Sequence, residues 1–328
     1  SPIQLSQVLY QDLSLPTKGV KKSKSGFSTG KAELDKLIDK HPVIEKIIEL
    51  REVSKLKSTY IDALPELTDE NNRLHTTFNQ NVTSTGRLSS TNPNLQNIPI
   101  RSEMGQEVRR GFIADEGNVL VSADYAQFEL RIAALLAGDR EMIDIFNSNR
   151  DIHQETASKI FQIPTDEVTK EQRRIAKVVN FSVLYGAGPR NLTQTVKGLS
   201  FAEAKELIDK YFEARKPVRD YMDKTLEQAR VDGYVETYFG RRRPTPDVNS
   251  SNFLVREAAK RASVNMPLQG TGADIMKMAM IEIEKNLDKL VPSAQQILQI
   301  HDSIMVECKA KDGDKVASLL RSTMMNVC

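Results

Sequence analysis

The sequence has little cysteine and no long apolar run, and both absences narrow the class of protein. Only two of its 328 residues are cysteines, Cys308 and Cys328, which is too few for a disulfide framework and favours a reducing compartment. These cysteines and the four histidines show no zinc-ligand spacing. No stretch approaches the roughly 18–20 uninterrupted apolar residues of a membrane-spanning helix. The first residues, SPIQLSQVLY, lack the basic and apolar regions of a secretory signal. We therefore expect a cytoplasmic protein with no membrane contact.

A strong net charge is also lacking, since the formal charge is +2, and the overall charge does not indicate a nucleic-acid partner. The first 60 residues are more basic, with eleven Lys and Arg against seven Asp and Glu. Four of these lysines lie in one stretch that contains Gly and Ser, namely Lys18, Lys21, Lys22 and Lys24. Such a run can bind phosphates, and the alternative is a solvated flexible loop.

Hydrophobic periodicity predicts a mixed fold in the first half of the chain. Residues 32–58 show helical spacing with a break at His41-Pro42, and the Thr/Ser/Asn-rich region 76–97 indicates strands and loops. The apolar run 119–123 predicts a buried strand that ends at Asp124. A helix with one apolar face is predicted to follow, and that face is formed by Phe128, Ile132, Leu135 and Leu136.

The second half is predicted to be mostly helical as far as about residue 230. Thr169 and Gln172 have the spacing of a capping box at the start of a helix. A loop at 239–251 precedes two predicted helices at about 253–265 and 272–290. Two β-prone runs then meet at His301-Asp302-Ser303, which predicts a tight hairpin. We infer an α+β fold in which a helical subdomain is inserted into a sheet-bearing one.

Two aspartates stand where a sheet can bring them together. Asp124 ends the predicted strand, and Asp302 lies in the hairpin turn. Two carboxylates side by side would hold Mg²⁺, which takes oxygen ligands and keeps waters and substrate phosphates in the rest of its shell. A two-ion site of this kind clamps the attacking and leaving oxygens of a phosphoryl transfer. The alternatives are that Asp124 only caps the next helix and that Asp302 is only a turn residue.

Two cations and two aromatic residues share one face of the helix predicted after Thr169. They are spaced by four residues, as Arg173, Lys177, Phe181 and Tyr185. The cations suit a triphosphate, and the aromatic rings suit a stacked base or sugar. An amphipathic helix with a solvated basic end and a buried aromatic end explains the same pattern.

A further group combines arginine with side-chain amides, which can bind the acceptors that every base pair presents in the minor groove. Its members are Arg87, Asn92, Asn94, Gln96, Asn97 and Gln269. Ordinary loop and turn chemistry explains these residues equally well.

Taken together, these segments resemble family A DNA polymerases, specifically the polymerase region of the bacterial polymerase I type. DYAQFELR at 124–131, RRIAKVVNFSVLYG at 173–186 and QIHDSIMVE at 299–307 are similar to the family's motifs A, B and C. TGRLSSTNPNLQNIPIR at 85–101 and AAKRASVNMPLQGTGADIMKMAM at 258–280 are similar to two further blocks. All five blocks stand in the family's order, and the resemblance covers nearly the whole chain.

The resemblance implies a right-hand polymerase fold and template-directed addition of deoxynucleoside triphosphates to a primer 3′-OH by a monomeric enzyme. It implies two Mg²⁺ ions, with Mn²⁺ as an alternative, and primer–template DNA as a partner. The metal ligands would be Asp124, Asp302 and the backbone carbonyl of Tyr125. The nucleotide would contact Gln127, Glu129, His153, Arg173, Lys177, Phe181 and Tyr185. The DNA would contact Arg87, Asn94, Gln96, Asn97, Arg261, Asn265, Gln269, Lys21, Lys22 and Lys24.

More specific roles follow from the same resemblance. Lys177 would protonate the leaving pyrophosphate, and Phe181 would pack on the incoming sugar and base. Glu129 and Tyr185 would form the gate against a ribose 2′-OH. His153 would touch the triphosphate.

The chain departs from the family's pattern at a few positions. Ala126 and Phe128 stand where Ser and Ile are usual, and Ser303 stands where Glu is usual. We expect residues 1–60 to be part of the thumb, 61–133 and 253–328 the palm, and 134–252 the fingers. The sequence starts inside the thumb and stops before the final palm strand, so we expect a natural protein that is longer at both ends. No exonuclease domain is expected within this chain.

Two other functions remain open at this point. A single-subunit RNA polymerase shares the palm, but it needs room for the 2′-OH where Glu129 stands. A polymerase remnant that binds primer–template without catalysis would explain Ser303.

Overall fold

The chain divides into two units in the computed structural model, which describes residues 1–23, 26–100 and 102–328. The first unit comprises Ser1–Thr77 and Asn92–Phe112, and the second comprises Phe78–Thr91 and Ile113–Cys328. Both contain helix and strand, and the sheet-bearing second unit carries a large helical insertion. The predicted α+β class is confirmed.

The first unit is mainly helical. Its helices are α1 (Pro2–Gln7), α2 (Lys31–Leu34), α3 (Pro42–Leu56) and α4 (Glu103–Arg110). A short hairpin of β1 (Lys22–Ser23) and β2 (Gly26–Phe27) precedes α2. The predicted break at His41 is confirmed, because the His41 ring caps α3 and Pro42 occupies its first position, where no N–H is needed.

A three-stranded antiparallel sheet organises the second unit. It consists of β5 (Asn118–Asp124), β8 (Gln295–Ile300) and β9 (Ser303–Lys309), in the order β5-β9-β8. A smaller pair, β3 (Thr77–Asn79) and β4 (Ser89–Thr91), lies earlier in the chain. The predicted hairpin is confirmed as β8–β9, and its turn places His301 at a φ of 52°.

The remaining elements of the second unit are helices and one more hairpin. The helices before the hairpin are α5 (Phe128–Ala137), α6 (Arg140–Asn147), α7 (Ile152–Phe161), α8 (Lys170–Leu184), α9 (Pro189–Thr195), α10 (Phe201–Ala214) and α11 (Lys216–Val231). Then come β6 (Tyr234–Glu236), β7 (Arg242–Pro244), α12 (Phe253–Leu290) and, after the sheet, α13 (Gly313–Met325). None of the described helices combines the length and apolarity that a membrane span requires.

Two large buried cores lie in this unit, beside a small cluster that includes Val235 and Met266. The larger core joins α5, α12, α13 and the sheet through residues such as Leu130, Ile283 and Val306. The smaller core lies among α7, α8 and α10 and includes Val179 and Tyr211. The inserted helices therefore have a core of their own, and α8 also packs into the larger core through Leu184.

The two helices predicted between residues 253 and 290 are in fact one helix, α12, which contains Pro267. Close packing explains the glycines near that proline. A Cβ at Gly270 would lie 2.5 Å from Thr237 Cγ2, and one at Gly272 would lie 3.2 Å from Phe128 Cε1. Burial on several sides therefore outweighs the local cost of proline and glycine in the helix.

Three smaller predictions also need correction. The strand β5 is half-buried instead of buried, because it lies at the edge of the described sheet. Leu135 is 53% exposed and is not part of the apolar face of α5. The predicted loop at 239–251 contains β7 and a short 3₁₀ turn, Pro246–Asn249.

Candidate active site

Strand pairing brings Asp124 and Asp302 to the same end of the sheet. Asp124 is the last residue of β5 and pairs with Ser303, the first residue of β9. The Tyr125 N–H donates a hydrogen bond of 3.0 Å to the backbone carbonyl of Asp302. Backbone contacts on both sides therefore fix the positions of the two aspartates, which we call the carboxylate pair.

The electrostatics of the carboxylate pair favour a bound cation. Burial raises the pKa of Asp302, the Arg87 guanidinium opposes that rise, and the Asp124 charge adds to it. Burial also raises the pKa of Asp124, with a smaller opposing effect from His301. Burial makes ionisation of each carboxylate cost free energy. A cation bound between the two carboxylates would offset that cost for both.

The oxygen donors at this site fit Mg²⁺ or Mn²⁺. Magnesium is commonly held by one or two carboxylates, with waters and substrate phosphates completing its shell. No group of three or more His, Cys, Asp or Glu side chains suited to a metal occurs among residues 1–23, 26–100 and 102–328. A divalent ion that depends on a substrate phosphate suits this donor set better than a permanently bound structural metal.

Glu129 connects two other predicted site residues. Its Oε1 accepts a hydrogen bond of 2.7 Å from Arg87 Nη2, and its Oε2 accepts one from the Tyr185 hydroxyl. Burial raises the pKa of Glu129, while the charge and hydrogen bond of Arg87 lower it. The structure thus brings together the two residues predicted to form the gate, and it adds Arg87 to them.

The helix α8 displays the predicted row of side chains, which we call the α8 stripe: Arg173, Lys177, Phe181 and Tyr185. The Thr169–Gln172 capping box at its start is confirmed, and Tyr185 caps its C-terminal end. Arg173 Nη2 lies 2.7 Å from Asp151 Oδ2, whereas Lys177 is exposed and makes no hydrogen bond or ion pair with the described residues. Asp151 also caps α7, so it fixes Arg173 relative to two helices.

His153 lies behind the α8 stripe instead of on its surface. It is 2% exposed, and its Nδ1 is 3.1 Å from the side-chain nitrogen of Asn180. Burial lowers the pKa of His153 to about 4; the Asp151 charge opposes this shift, and the Arg173 and Lys177 charges add to it. The ring centroid of His153 lies 5.8 Å from that of Phe181, and its contact with a triphosphate stays a prediction.

The amide residues on α12 differ in their surroundings. Asn265 Oδ1 is buried and has no hydrogen-bond partner in the part of the chain that the structure describes. Gln269 is half-buried, and Arg261 is exposed with its Cγ 3.0 Å from the Cβ position of Gly186. Gln127 adopts the left-handed conformation, with a φ of 54°, immediately before α5.

The other predicted DNA contacts lie in the first unit. The Asn94 side chain caps a 3₁₀ turn by accepting a hydrogen bond from the Gln96 N–H, and the Asn97 carbonyl accepts one from Tyr60. Lys18, Lys21 and Lys22 are exposed in or beside the β1–β2 hairpin. Lys24 lies outside the described residues.

Sequence reasoning missed two carboxylates that hold site residues in place. Asp151 pairs with Arg173, and its position just before a helical segment was the available signal. Asp274, on α12, pairs with Arg241 in the turn of the β6–β7 hairpin and also accepts a hydrogen bond from Thr237 of the same turn. Nothing in the spacing of Arg241 and Asp274 indicates that they meet.

The comparisons with known proteins agree with one another. The family model for DNA polymerase family A matches residues 1–328. A thermostable DNA polymerase I of Thermus aquaticus is 47% identical over 325 residues, which are 99% of this chain and 39% of that protein. DNA polymerase I of Deinococcus radiodurans is 45% identical over 328 residues, which are 100% of this chain and 34% of that protein. The chain thus spans less than two fifths of the length of these two relatives.

A solved structure shows the same fold. The POL domain of Pol1 from M. smegmatis, in complex with DNA primer-template and dNTP, matches with a TM-score of 0.93 and 42% sequence identity. The match covers 100% of this chain and 58% of that one.

Proposed function

This chain belongs to DNA polymerase family A, and on that basis we propose that it is a DNA-directed DNA polymerase. It would add deoxynucleotides to the 3′-OH of a primer paired with a template. The family membership predicted from five sequence blocks is confirmed. Primer–template DNA and deoxynucleoside triphosphates are proposed as its substrates because the M. smegmatis relative has both in its complex.

The observation that carries the proposal is the pairing of Asp124 with Ser303, which sets Asp302 beside Asp124. Two Mg²⁺ ions held by these carboxylates and the Tyr125 carbonyl would stabilise charge on the attacking and leaving oxygens. The role of the protein here is to present two ionised carboxylates at a fixed spacing. Their backbone attachment to paired strands supports that role.

The two cations of the α8 stripe, half-buried Arg173 and exposed Lys177, are proposed to bind the triphosphate. Arg173 presents a planar fork whose position is set by Asp151 at 2.7 Å. Lys177 has no partner among the described residues, so its ammonium group is free to bind a phosphate and to carry a proton toward the leaving pyrophosphate. Phe181, supported by His153, would lie against the sugar and base of the incoming nucleotide.

Discrimination against ribonucleotides is assigned to Glu129. Its carboxylate is held from two directions by Arg87 and Tyr185, so it cannot swing away to admit a larger sugar. A ribose 2′-OH directed toward the Glu129 carboxylate would clash with it. This arrangement favours a DNA polymerase over a single-subunit RNA polymerase.

A primer-extension assay tests the proposal. The protein is incubated with a labelled primer–template, Mg²⁺ and either deoxynucleotides or ribonucleotides. An Asp124→Ala variant purified in the same way controls for contaminating polymerases. Extension with deoxynucleotides alone is expected. Extension with ribonucleotides would indicate an RNA polymerase, and binding of the duplex without any extension would indicate a non-catalytic remnant.

A further inference from the structure

The tip of the β6–β7 hairpin is fastened to α12 by a network of polar contacts. Thr237 Oγ1 donates a hydrogen bond of 2.8 Å to Asp274 Oδ2, and Arg241 Nε donates one of 2.8 Å to Asp274 Oδ1. The Tyr238 N–H donates to Thr271 Oγ1 at 3.0 Å. The Asp274 side chain is only 10% exposed, and both of its oxygens are engaged. The hairpin tip and the Arg241 side chain are therefore held firmly.

The Arg241 side chain lies directly on Gly86, the residue before Arg87. A Cβ placed on Gly86 would be 2.7 Å from Arg241 Nε and 2.9 Å from its Cδ. Gly86 also has a φ of +82°, which favours glycine. Because Arg241 Nε is hydrogen-bonded to Asp274, the guanidinium cannot move aside at low cost. The side of the Gly86 backbone that faces Arg241 is therefore confined.

The long helix α12 confines the same segment through another glycine. A Cβ on Gly270 would lie 3.1 Å from the Thr85 carbonyl oxygen and 2.5 Å from Thr237 Cγ2. The segment Thr85–Arg87 therefore packs against two surfaces. Thr85 lies against α12 at Gly270, and Gly86 lies against the Arg241 side chain. Arg87 then extends from this held segment to Glu129 at 2.7 Å.

We propose that Arg241, fixed by Asp274, is a positioning residue that sets the place of Arg87 at the active site. The inference rests on the proposed function, in which Arg87 holds the Glu129 carboxylate at the nucleotide site. Arg241 itself would touch neither primer nor nucleotide. Its effect would pass through Gly86 to Arg87, and from Arg87 to Glu129 and the carboxylate pair.

A purely structural role for Arg241, in which it only attaches the hairpin to α12, makes a different prediction. Loss of a structural contact would lower thermal stability and would act independently of Arg87. Loss of a positioning contact would have little further effect once Arg87 is gone. A double-mutant cycle separates the two, because residues that act through one another show non-additive effects.

The experiment compares the parent with Arg241→Ala, Arg87→Ala and the double variant. The matched control is Arg242→Ala, because Arg242 is the next residue, is 62% exposed and pairs with Glu236 instead of Asp274. The readouts are the single-turnover extension rate, the KM for deoxynucleotide, the affinity for primer–template by fluorescence anisotropy, and the unfolding temperature. Arg241→Lys is measured alongside, since lysine keeps a cation for Asp274 without the flat group that covers Gly86.

We expect Arg241→Ala to slow extension by about 10- to 100-fold, which is typical of a small misplacement of a catalytic-site group. In the Arg87→Ala background the same change should alter the rate by less than about threefold, which would be a clear departure from additivity. Arg241→Lys should extend primers more slowly than the parent. Its unfolding temperature should stay near that of the parent. Arg242→Ala should match the parent in every readout.

Effects of Arg241→Ala and Arg87→Ala that simply multiply would overturn the positioning role, as would an Arg241→Ala variant as active as Arg242→Ala. If Arg241→Ala fails to fold, the same cycle with Arg241→Lys decides the question. A parent that binds primer–template but does not extend it would refute the proposed function instead. The positioning role would then be tested with a double-mutant cycle of primer–template affinities. Additive losses of binding free energy would overturn it, and non-additive losses would support it.

Discussion

Asp124 and Asp302 are brought together by strand pairing, whereas the α8 stripe is aligned by helix geometry alone. The two aspartates belong to strands far apart in the sequence, and the β5–β9 register decides whether they meet. The four residues of the stripe recur every fourth position of one helix, and no distant contact is needed to align them. A single-residue slip between β5 and β9 would disrupt the first arrangement and leave the second intact.

The carboxylate pair and the α8 stripe also differ in the electrostatic environment of their charged groups. Burial raises the pKa of both members of the carboxylate pair, so ionising them costs free energy that a bound cation would recover. Lys177, in contrast, is exposed, and Arg173 already has Asp151 as a partner. We infer that the carboxylate pair is organised to receive ions and the stripe to receive an anion.

The largest effect is expected from the carboxylate pair. Asp302→Ala or Asp124→Ala should reduce primer extension by about 10³-fold or more, because the lost ion stabilisation is worth several kcal/mol in the transition state. Affinity for primer–template should stay close to that of the parent, since the carboxylates hold ions and not DNA. Extension by either variant at a tenth of the parent rate would show that the two-ion assignment is wrong.

Removal of a cation from the α8 stripe should have the next largest effect. Lys177→Ala should slow single-turnover incorporation by roughly 10²–10³-fold, the usual cost of losing a preorganised group at a developing charge. Arg173→Ala should do similar damage. Arg174→Ala is the matched control, because Arg174 lies on the same helix and pairs with Glu171 on the exposed side. Equal incorporation rates for Lys177→Ala, Arg173→Ala and Arg174→Ala would show that the α8 stripe does not bind the nucleotide.

Glu129 should show a smaller effect that changes with the sugar. Glu129→Ala should admit ribonucleotides and also slow deoxynucleotide incorporation by roughly 10- to 100-fold, since Arg87 and Tyr185 lose a charged hydrogen-bond partner. Competition between the two nucleotide types on one template measures the selectivity directly. Tyr185→Phe, which keeps the ring and removes only the hydroxyl, should lie between Glu129→Ala and the parent. Unchanged exclusion of ribonucleotides by Glu129→Ala would mean that another side chain is the gate.

Ser303 tests whether the carboxylate pair is sufficient. Its hydroxyl donates a hydrogen bond of 2.9 Å to the Ile300 carbonyl, so the side chain is part of the hairpin turn. A glutamate here would act at most through a water, and such outer groups commonly change activity by 10- to 100-fold. Ser303→Glu should therefore alter the extension rate by less than about 100-fold. An enzyme that is inactive until this substitution is made would favour the non-catalytic remnant.

The smallest effect concerns stability and pH. Because burial raises the pKa of Asp302, its charged form destabilises the folded protein once the pH exceeds that pKa. Asp302→Asn should therefore raise the unfolding temperature slightly at pH 7 without Mg²⁺, and the gain should vanish below the ordinary aspartate pKa of about 3.9. Asp124→Asn should gain less, because Asp124 is more exposed. Thermal unfolding scans at several pH values measure both, and a gain that persists at acid pH would point to a cause other than charge.

Features that depend on neighbouring residues could be predicted from the sequence. The capping box at Thr169, the α8 stripe, the break at His41-Pro42 and the β8–β9 hairpin all depend on residues a few positions apart. The family blocks predicted roles for the carboxylate pair and Glu129, because those side chains have characteristic neighbours.

Tertiary structure alone decided the features that depend on distant contacts. The sequence around Pro267 indicated two helices, but burial against Thr237 and Phe128 made them one. The burial of His153 against Asn180 and Phe181 was not indicated by the sequence, whereas its contact with the triphosphate stays a prediction. The contact of Arg241 with Gly86 joins elements far apart in the chain. Local periodicity acts over one or two helical turns, whereas strand register, burial and ion pairing are set by which distant surfaces meet.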